Sequence, residues 1–439
     1  MKVSVCIIIA LLLSTYATVG SSQSSDATQS KSLSLFFDEP SVVDDGSFID
    51  ITMQGAPACV YQSGKPVLPM YTSTFELPFG SEIQTVNIQF DAVKTMNLQK
   101  KISPAPFPCI DGTVPQQSEV SLDDSVYGAT ELYPHQWLTY STGGGLNTDS
   151  EHVTFFTMRV YPVRYNPGTD TIEYIDDCQI HINYRVPEKS LFPTDATNNL
   201  LIISPLLFVP ALEKLAEHKN TLGIKTKIVS LSDIYGNYPG NDRPEQIKYY
   251  IKEAVEQWGS TYVLLVGGLK SHFLGKPRDD RNVGTRDWYL PVRYTNLWDS
   301  DVVYDPGFIS DLYYADIYDG NGEFCTWDSD GDGIYGRWIS TAPLVNSDFV
   351  TDELDFYPDI YLGRLPCRNV VEVKTIVNKI IAYEKTAADP SWFNRIVVIG
   401  GDPYDDRGTD YIEGELIGHK VVISDSLLGT ILKSSCMQE

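Results

Sequence analysis

The sequence predicts an all-β, sandwich-like N-terminal domain followed by an α/β domain built on a parallel sheet. Three observations predict it. From residue 33 to residue 186, short segments alternate apolar and polar residues between clusters of Gly, Pro and Asp, the period of half-buried antiparallel strands. From residue 200 onward, short unbroken apolar runs take turns with helix-periodic stretches, the grammar of strands buried on both faces and joined by crossover helices. Between them "PEKSLFPTDATNN" (Pro187–Asn199) follows neither period and reads as a linker. A length of 439 residues also exceeds one ordinary core, since domains run about 100–200 residues.

Taken in order, the chain opens with Lys2 and an apolar run from Val3 to Leu13, then small and polar residues. That is the form of a secretory signal peptide, expected to span residues 1–20 with cleavage after Gly20. The run is well short of the roughly 20 apolar residues of a membrane-spanning helix, and no later segment approaches that length. A secreted, extracellular protein without a transmembrane segment is expected, with Ser21 to Ser32 as a disordered leader.

In the β-rich part, "TVNIQF" sets Val86, Ile88 and Phe90 on one face and Asn87 and Gln89 on the other. "CQIHINYRV" sets Cys178, Ile180, Ile182 and Tyr184 inward, so His181 falls on the polar face. "NPGTDT" between two strand-like runs reads as a hairpin connection. In the second part "LLII" (Leu200–Ile203) is a buried strand, followed by a helix holding Leu212, Leu215 and Ala216 and stopped by Gly223. A strand at Thr226–Val229 leads to a helix that starts at Pro244, with Ile247, Ile251, Val255 and Trp258 on one stripe. "YVLLVGG" (Tyr262–Gly268), "DIYLGR" (Asp359–Arg364) and "RIVVIGG" (Arg395–Gly401) are further strands. The helix from Asn369 to Lys385 should turn Val373, Ile376, Val377 and Ile380 inward. An irregular insert rich in Asp, Tyr and Trp fills Lys270 to Asp355. Ligands of such sheets lie at the carboxyl ends of the strands, which marks Gly267, Gly268, Gly363, Gly400, Gly401 and Asp402.

Acids outnumber bases 58 to 33, a net charge of −25. This repels nucleic acid phosphates and anionic membranes and suits cationic partners, metal ions included. The cysteines that remain after the signal (Cys59, Cys109, Cys178, Cys325, Cys367, Cys436) are scattered without CxxC or zinc spacing, and no HExxH occurs.

One stretch carries a specific chemistry. In "WDSDGDGIYG" (Trp327–Gly336) the glycines spell GxGxxG, but a dinucleotide turn must open a helix and meet pyrophosphate with backbone amides. Here three carboxylates crowd the loop and no helical pattern follows Trp338. The acids instead spell the start of a calcium loop: Asp328, Asp330, Asp332 and the carbonyl of Ile334 fall at positions one, three, five and seven, with Gly333 at the sharp turn. The twelfth position, normally a bidentate Glu, is Ile339. Further ligands are therefore sought in Asp311, Asp316, Asp319 and Glu323, and the expected role of Ca2+ is structural.

"SDLYYADIYDG" (Ser310–Gly320), "WDSDGDGIYG", "YPDIYLGRLP" (Tyr357–Pro366) and "VNKIIAYEK" (Val377–Lys385) together resemble the gingipain-type cysteine peptidases, peptidase family C25. Upstream, "LPMYTSTFELPFGSEI" (Leu68–Ile83) and "KKISPAPFP" (Lys100–Pro108) are similar to that family's propeptide. The resemblance implies a secreted cysteine endopeptidase acting on protein or peptide, made as a zymogen with a β-rich prodomain. It also implies a caspase-like α/β domain, here residues 200–439, with bound calcium. The family's chemistry uses a Cys thiolate assisted by a His, which requires a thiol of lowered pKa within reach of an imidazole. The family's His lies in a Gly-His-Gly motif after a strand, and its Cys follows the next strand.

Neither pattern occurs between Gly401 and Glu439, so the catalytic residues are unassigned and the α/β domain is expected to be incomplete at its C-terminal end. The 439-residue chain alone is expected to be inactive, as a truncated gene model or a degenerate copy. His419 resembles the family His only loosely, because Lys420 stands where the second glycine should be and the segment reads as helical. Cys436 lies at a chain end, where a preorganised base is lacking. Cys367, between a strand and a helix start whose dipole favours a thiolate, is better placed, yet its reading as a packed residue weighs more. Two rival classes remain. One is a non-catalytic, calcium-stabilised secreted binding protein. The other is a hydrolase using Asp402, Asp405 and Asp406, which no catalytic motif supports.

Overall fold

The computed structural model describes residues 28–44, 46–105, 122–276, 284–298, 304–305, 309–339 and 351–385. The signal peptide, the strand expected at Arg395–Gly401, and Asp402, Asp405, Asp406, His419 and Cys436 lie outside the described residues.

The N-terminal part contains β1 (Thr28–Phe36), β2 (Ser41–Asp44), β3 (Ile49–Thr52), β4 (Ala58–Val60), β5 (Leu68–Pro78), β6 (Glu82–Gln89) and β7 (Lys94–Asn97). A short helix α1 (Asp124–Tyr127) follows, then β8 (Leu138–Leu146), β9 (His152–Val160), β10 (Val163–Asn166), β11 (Thr171–Tyr174) and β12 (Asp177–Arg185). The strands pair antiparallel in the orders β4-β5-β9-β8, β1-β12-β6, β10-β11-β7 and β2-β3. Their inward residues, among them Phe156, Met158, Tyr165, Ile172 and Ile180, form one apolar core. Each large side chain withdrawn from water contributes about 1.5–3 kcal/mol. Strand β12 buries Cys178, Ile180, Ile182 and Tyr184, as its period requires. His181 stays on the polar face, where its Nδ1 and Ser32 Oγ lie 2.9 Å apart.

That last contact corrects the expectation of a disordered leader through Ser32. Strand β1 begins at Thr28 and pairs residue for residue with β12, from Thr28 opposite Arg185 to Phe36 opposite Asp177. Main-chain hydrogen bonds of a strand do not depend on side-chain polarity, so a polar segment joins the sheet once a partner edge is available. The side chains of "TQSKS" are exposed except for the half-buried Lys31, whose Nζ lies 5.0 Å from the Phe75 ring centroid.

The second part is a four-stranded parallel sheet. It contains β13 (Leu200–Ser204), α2 (Val209–Thr221), β14 (Thr226–Ser230), α3 (Leu231–Ile234), α4 (Arg243–Trp258) and β15 (Tyr262–Val266). The insert adds β16 (Asn296–Trp298), β17 (Tyr304–Asp305), α5 (Leu312–Ala315) and β18 (Arg337–Ile339), before β19 (Tyr361–Leu365) and α6 (Val370–Lys385). The sheet order is β14-β13-β15-β19. The unbroken apolar run of β13 serves two cores at once. Leu201 and Ile203 pack with α4 and the insert, while Leu200 and Ile202 pack with α2 and α6.

Helix α4 starts where Asp242 accepts from Glu245 N at 3.0 Å and ends at Gly259, whose φ of 66° is left-handed. An acidic N-cap and a glycine stop are the expected punctuation. In α6 the buried line is Val373, Val377 and Ile381, with Ile376 and Ile380 only at its margin. Gly363 also departs from expectation: it sits in mid-strand opposite Leu264, not at the carboxyl edge.

Candidate functional site

The carboxyl edge of the sheet is tied together by Arg364, near the end of β19. Its Nε donates to Asp311 Oδ2 at 2.6 Å, and Nη2 donates to Asp311 Oδ1 at 2.8 Å and Pro291 O at 3.0 Å. Nη1 donates to Gly267 O at 2.9 Å and Leu290 O at 3.0 Å. All five guanidinium donors are thereby used, and they join β15, β19 and the insert. The glycines after β15 permit the close approach, because a Cβ on Gly268 would lie 2.3 Å from Pro366 O.

Beyond this lock lies the acidic loop. One carboxylate oxygen from each of Asp328, Asp330 and Asp332 falls within 4.8 Å of the others. The loop is wound by its own amides: Gly333 N donates to Asp328 Oδ2 at 3.0 Å, and Ile334 N donates to Asp332 Oδ1 at 2.8 Å. Gly331, Gly333 and Gly336 take φ of 75°, 82° and 56°, a region that favours glycine. Gly336 leads into strand β18, which agrees with the rejection of a dinucleotide turn. Arg337 pairs with Asp330 and Asp332, while Asp328 Oδ1 is buried with no hydrogen-bond partner. An orphaned carboxylate oxygen beside two further acids suits a hard cation.

The supplementary ligands expected from Asp311, Asp316, Asp319 and Glu323 are not brought to this loop. Asp311 is held by Arg364. Asp316 Oδ2 accepts from Trp327 Nε1 at 2.8 Å, and Asp319 Oδ1 accepts from Asn321 N and Glu323 N. The acid that joins the loop is Asp352, whose Oδ1 accepts from Ser329 N at 2.7 Å and whose Oδ2 accepts from Arg337 N at 2.8 Å. Long-range folding decided this, and local spacing carries no sign of it.

A second group of acids lies deeper. Asp316 and Asp359 are fully buried, and Asp355 is largely so. Asp359 Oδ2 accepts from Ile317 N at 2.6 Å and Tyr318 N at 2.9 Å. Asp359 Oδ1 and Asp316 Oδ1 have no partner. Burial raises the pKa of all three; repulsion from Asp316 adds to it at Asp355 and Asp359, while at Asp316 the pull of Lys248 opposes it. Asp355 is pushed up to about 7. The nearby Lys248 is also fully buried. Its Nζ donates to Cys325 O at 2.5 Å and lies 4.6 Å from the Tyr313 ring centroid. Burial lowers its pKa, against the opposing pull of Cys325, Asp316 and Asp359. Two of the carboxylates, Asp316 and Asp359, thus face one ammonium. The oxygens of the three acids are spaced more widely than those of the loop, which is the cluster of three that closes to 4.8 Å among the described residues.

Sequence reading missed Asp355, Asp359 and Lys248. A sign existed for Lys248, which falls on the buried stripe of α4 beside Ile247 and Ile251.

Of the four described thiols Cys59 is exposed, and the three buried ones are poor nucleophiles. Cys367 is buried in the apolar core of α2 and α6, and burial together with Glu372 raises its pKa. The start of α6 does not activate it, contrary to the dipole argument, because desolvation outweighs a half-charge at a helix end. Burial likewise pushes Cys178 and Cys325 up to about 12. The described histidines have other neighbours: His218 Nε2 lies 2.9 Å from Glu384 Oε2, and His152 stacks on Phe192 at 3.9 Å.

The two domains meet at these acids. Gly143, Gly144 and Gly145 of β8 lie flat on the C-terminal domain, with Gly144 N donating to Asp355 Oδ2 at 2.8 Å and Leu146 N to Pro358 O at 2.9 Å. A Cβ would lie 2.3 Å from the Tyr357 ring at Gly143, 2.4 Å from Asp319 O at Gly144 and 2.8 Å from Tyr357 Cβ at Gly145. Phe155 stacks on Tyr357 at 4.5 Å, and Thr154 Oγ1 donates to Gly320 O at 3.1 Å.

Fold and junction define a class: a β domain seated, through backbone contacts, on the acidic strand-end insert of a parallel α/β domain. The chain belongs to peptidase family C25, whose model matches residues 193–427, and the Propeptide_C25 model matches residues 19–204. It is similar to Gingipain R2 from two strains of Porphyromonas gingivalis, at 20% identity over 398 residues and 19% over 396. These alignments cover 82% and 81% of this chain but 44% of either relative, so the chain spans less than half the length of the curated relatives it matches. Among solved structures, the complex of Porphyromonas gingivalis RgpB pro- and mature domains aligns at TM-score 0.28 and 15% identity, over 35% of this chain and 78% of that one. A structure addressing zymogenic latency of gingipain K from the same organism aligns at TM-score 0.31 and 14% identity, over 38% and 96%. Dimeric latent PorU, also from that organism, aligns at 0.29 and 11%, over 84% and 39%.

Proposed function

We propose that this chain is the precursor of a secreted cysteine-type endopeptidase acting on proteins or peptides. In this reading the N-terminal β domain is its propeptide and the C-terminal α/β domain is caspase-like. The observation that carries the reading is that matches to the peptidase and propeptide families together run from residue 19 to residue 427. The docked junction agrees with a domain made to cover another. Thiolate chemistry needs an activated Cys beside an imidazole, and Cys178, Cys325 and Cys367 are buried with raised pKa. We expect the 439-residue chain by itself to hydrolyse no peptide. A peptide-based thiol-reactive probe should leave all its cysteines unlabelled; labelling that a competing peptide substrate blocks would reject this inactivity.

The same reading places Ca2+ on Asp328, Asp330, Asp332 and the carbonyl of Ile334, where it would hold the insert in shape. The orphaned Asp328 Oδ1 supports it. Calcium titration by calorimetry tests the loop. The Asp330→Asn/Asp332→Asn variant should bind one ion fewer per chain than the parent, and equal stoichiometry would remove the loop from the metal sites.

A further inference from the structure

The linker between the domains is held at both ends and bare in its middle. Upstream, Pro187 packs over the turn after β5, where a Cβ on Gly80 would lie 3.1 Å from Pro187 Cγ. Downstream, Thr197 N donates to Trp258 O at 2.8 Å, and Pro193 and Ala196 close on Gly259. Between these anchors Glu188, Lys189, Ser190 and Leu191 are exposed, and the half-buried Phe192 follows them. Its ring turns into the junction. It stacks on His152 of β9 at 3.9 Å, and its centroid lies 4.9 Å from that of Phe79 and 5.9 Å from that of Tyr318. Phe79 and His152 belong to the N-terminal domain, whereas Tyr318 belongs to the C-terminal core, against which Phe192 also packs.

We propose that Phe192 is a latch that controls proteolytic cutting of the linker: while its ring sits between the domains, the exposed stretch beside it cannot enter a peptidase cleft. This control follows from the junction and holds whether or not the chain is itself catalytic.

Exposed linkers are where peptidases usually cut, but exposure alone does not make a bond cleavable. A cleft that takes peptide as an added strand needs extended backbone on both sides of the bond. Here the stretch is pinned at Pro187 and Phe192, and it is curled. Phe192 N donates to Ser190 Oγ at 3.1 Å, and Ser190 Oγ donates to Phe192 O at 3.2 Å, the bonding of a serine-held turn. Straightening it pulls Phe192 from its seat.

That seat is aromatic on every side named. Burial pushes the His152 imidazole down to about 4, so the ring under Phe192 is neutral, and its buried Nε2 has no hydrogen-bond partner. Tyr318 is fixed from behind by its hydroxyl, which donates to Glu256 Oε1 at 3.2 Å. Ring contacts of this kind add to the area that Phe192 buries, so leaving the seat is costly. The latch opens when the domains part or when the ring swings out.

The test is limited digestion of the full chain with a low concentration of trypsin, the cut after Lys189 being followed by mass spectrometry. Cutting then tracks the fraction of open linker. The parent should be cut slowly at this bond, and Phe192→Ala on the order of tenfold faster. His152→Ala should accelerate the same cut while leaving the linker sequence, and with it trypsin's preference, unchanged. The bond after Arg159, inside β9, should keep the parent's rate in both variants, which separates an open latch from an unfolded domain. Parent-like cutting after Lys189 in either variant would overturn the latch, as would an equal acceleration after Arg159.

Discussion

Arg364→Ala is expected to destabilise the α/β domain by about 3–5 kcal/mol, the cost of removing one partner from a buried, hydrogen-bonded ion pair. The side chain is nearly buried, and its loss leaves Asp311 without its bidentate partner. It also strips a donor from each of Gly267 O, Leu290 O and Pro291 O. Arg364→Lys should rescue little of this, because an ammonium offers three donors from one point where the site needs a planar fork of five. Urea unfolding followed through the fluorescence of Trp327 and its insert neighbours provides the measurement. A lysine variant as stable as the parent would show that charge alone, and not the fork, holds the sheet edge together.

In the presence of a chelator, the chain should lose stability by a few kcal/mol as pH rises from about 4 to about 7. The cause is Asp355, whose carboxyl is pushed from 3.8 up to about 7 by burial and by Asp316; a tenfold change in proton affinity is about 1.4 kcal/mol. The sign follows from linkage. A folded-state pKa raised above the unfolded one means that folding takes up a proton between the two values. The contribution is complete below 3.8 and lost as pH climbs through about 7. Asp359, raised by burial and by the same neighbours, adds to the loss in the same direction. Thermal melts across this range in chelator decide it. A chelated chain whose stability rises toward neutral pH would show that Lys248 alone compensates the acids.

Much of the framework was legible because it depends on local period and punctuation. Leu200–Ile203 reads as a doubly covered strand, and alternate residues do enter two different cores. Pro244, read as the start of α4, lies one residue inside the helix that the structure begins at Arg243. The glycine and aspartate spacing of Trp327–Gly336 was enough to bring three carboxylates together. Period failed where a partner strand supplied what composition lacked, as at Thr28–Ser32 of β1.

By itself the sequence determined the two-part architecture, the winding of the acidic loop and the family, since each is written in residues adjacent along the chain. Tertiary structure alone decided what the acids do. Gly144 and Asp355 stand 211 residues apart, and nothing local distinguishes Asp355 from its exposed neighbours. Its raised pKa, the burial of Lys248 and the seat of the N-terminal domain arise only when distant segments expel the water between them. Desolvation is a property of the assembled surroundings, and no spacing along the chain encodes it.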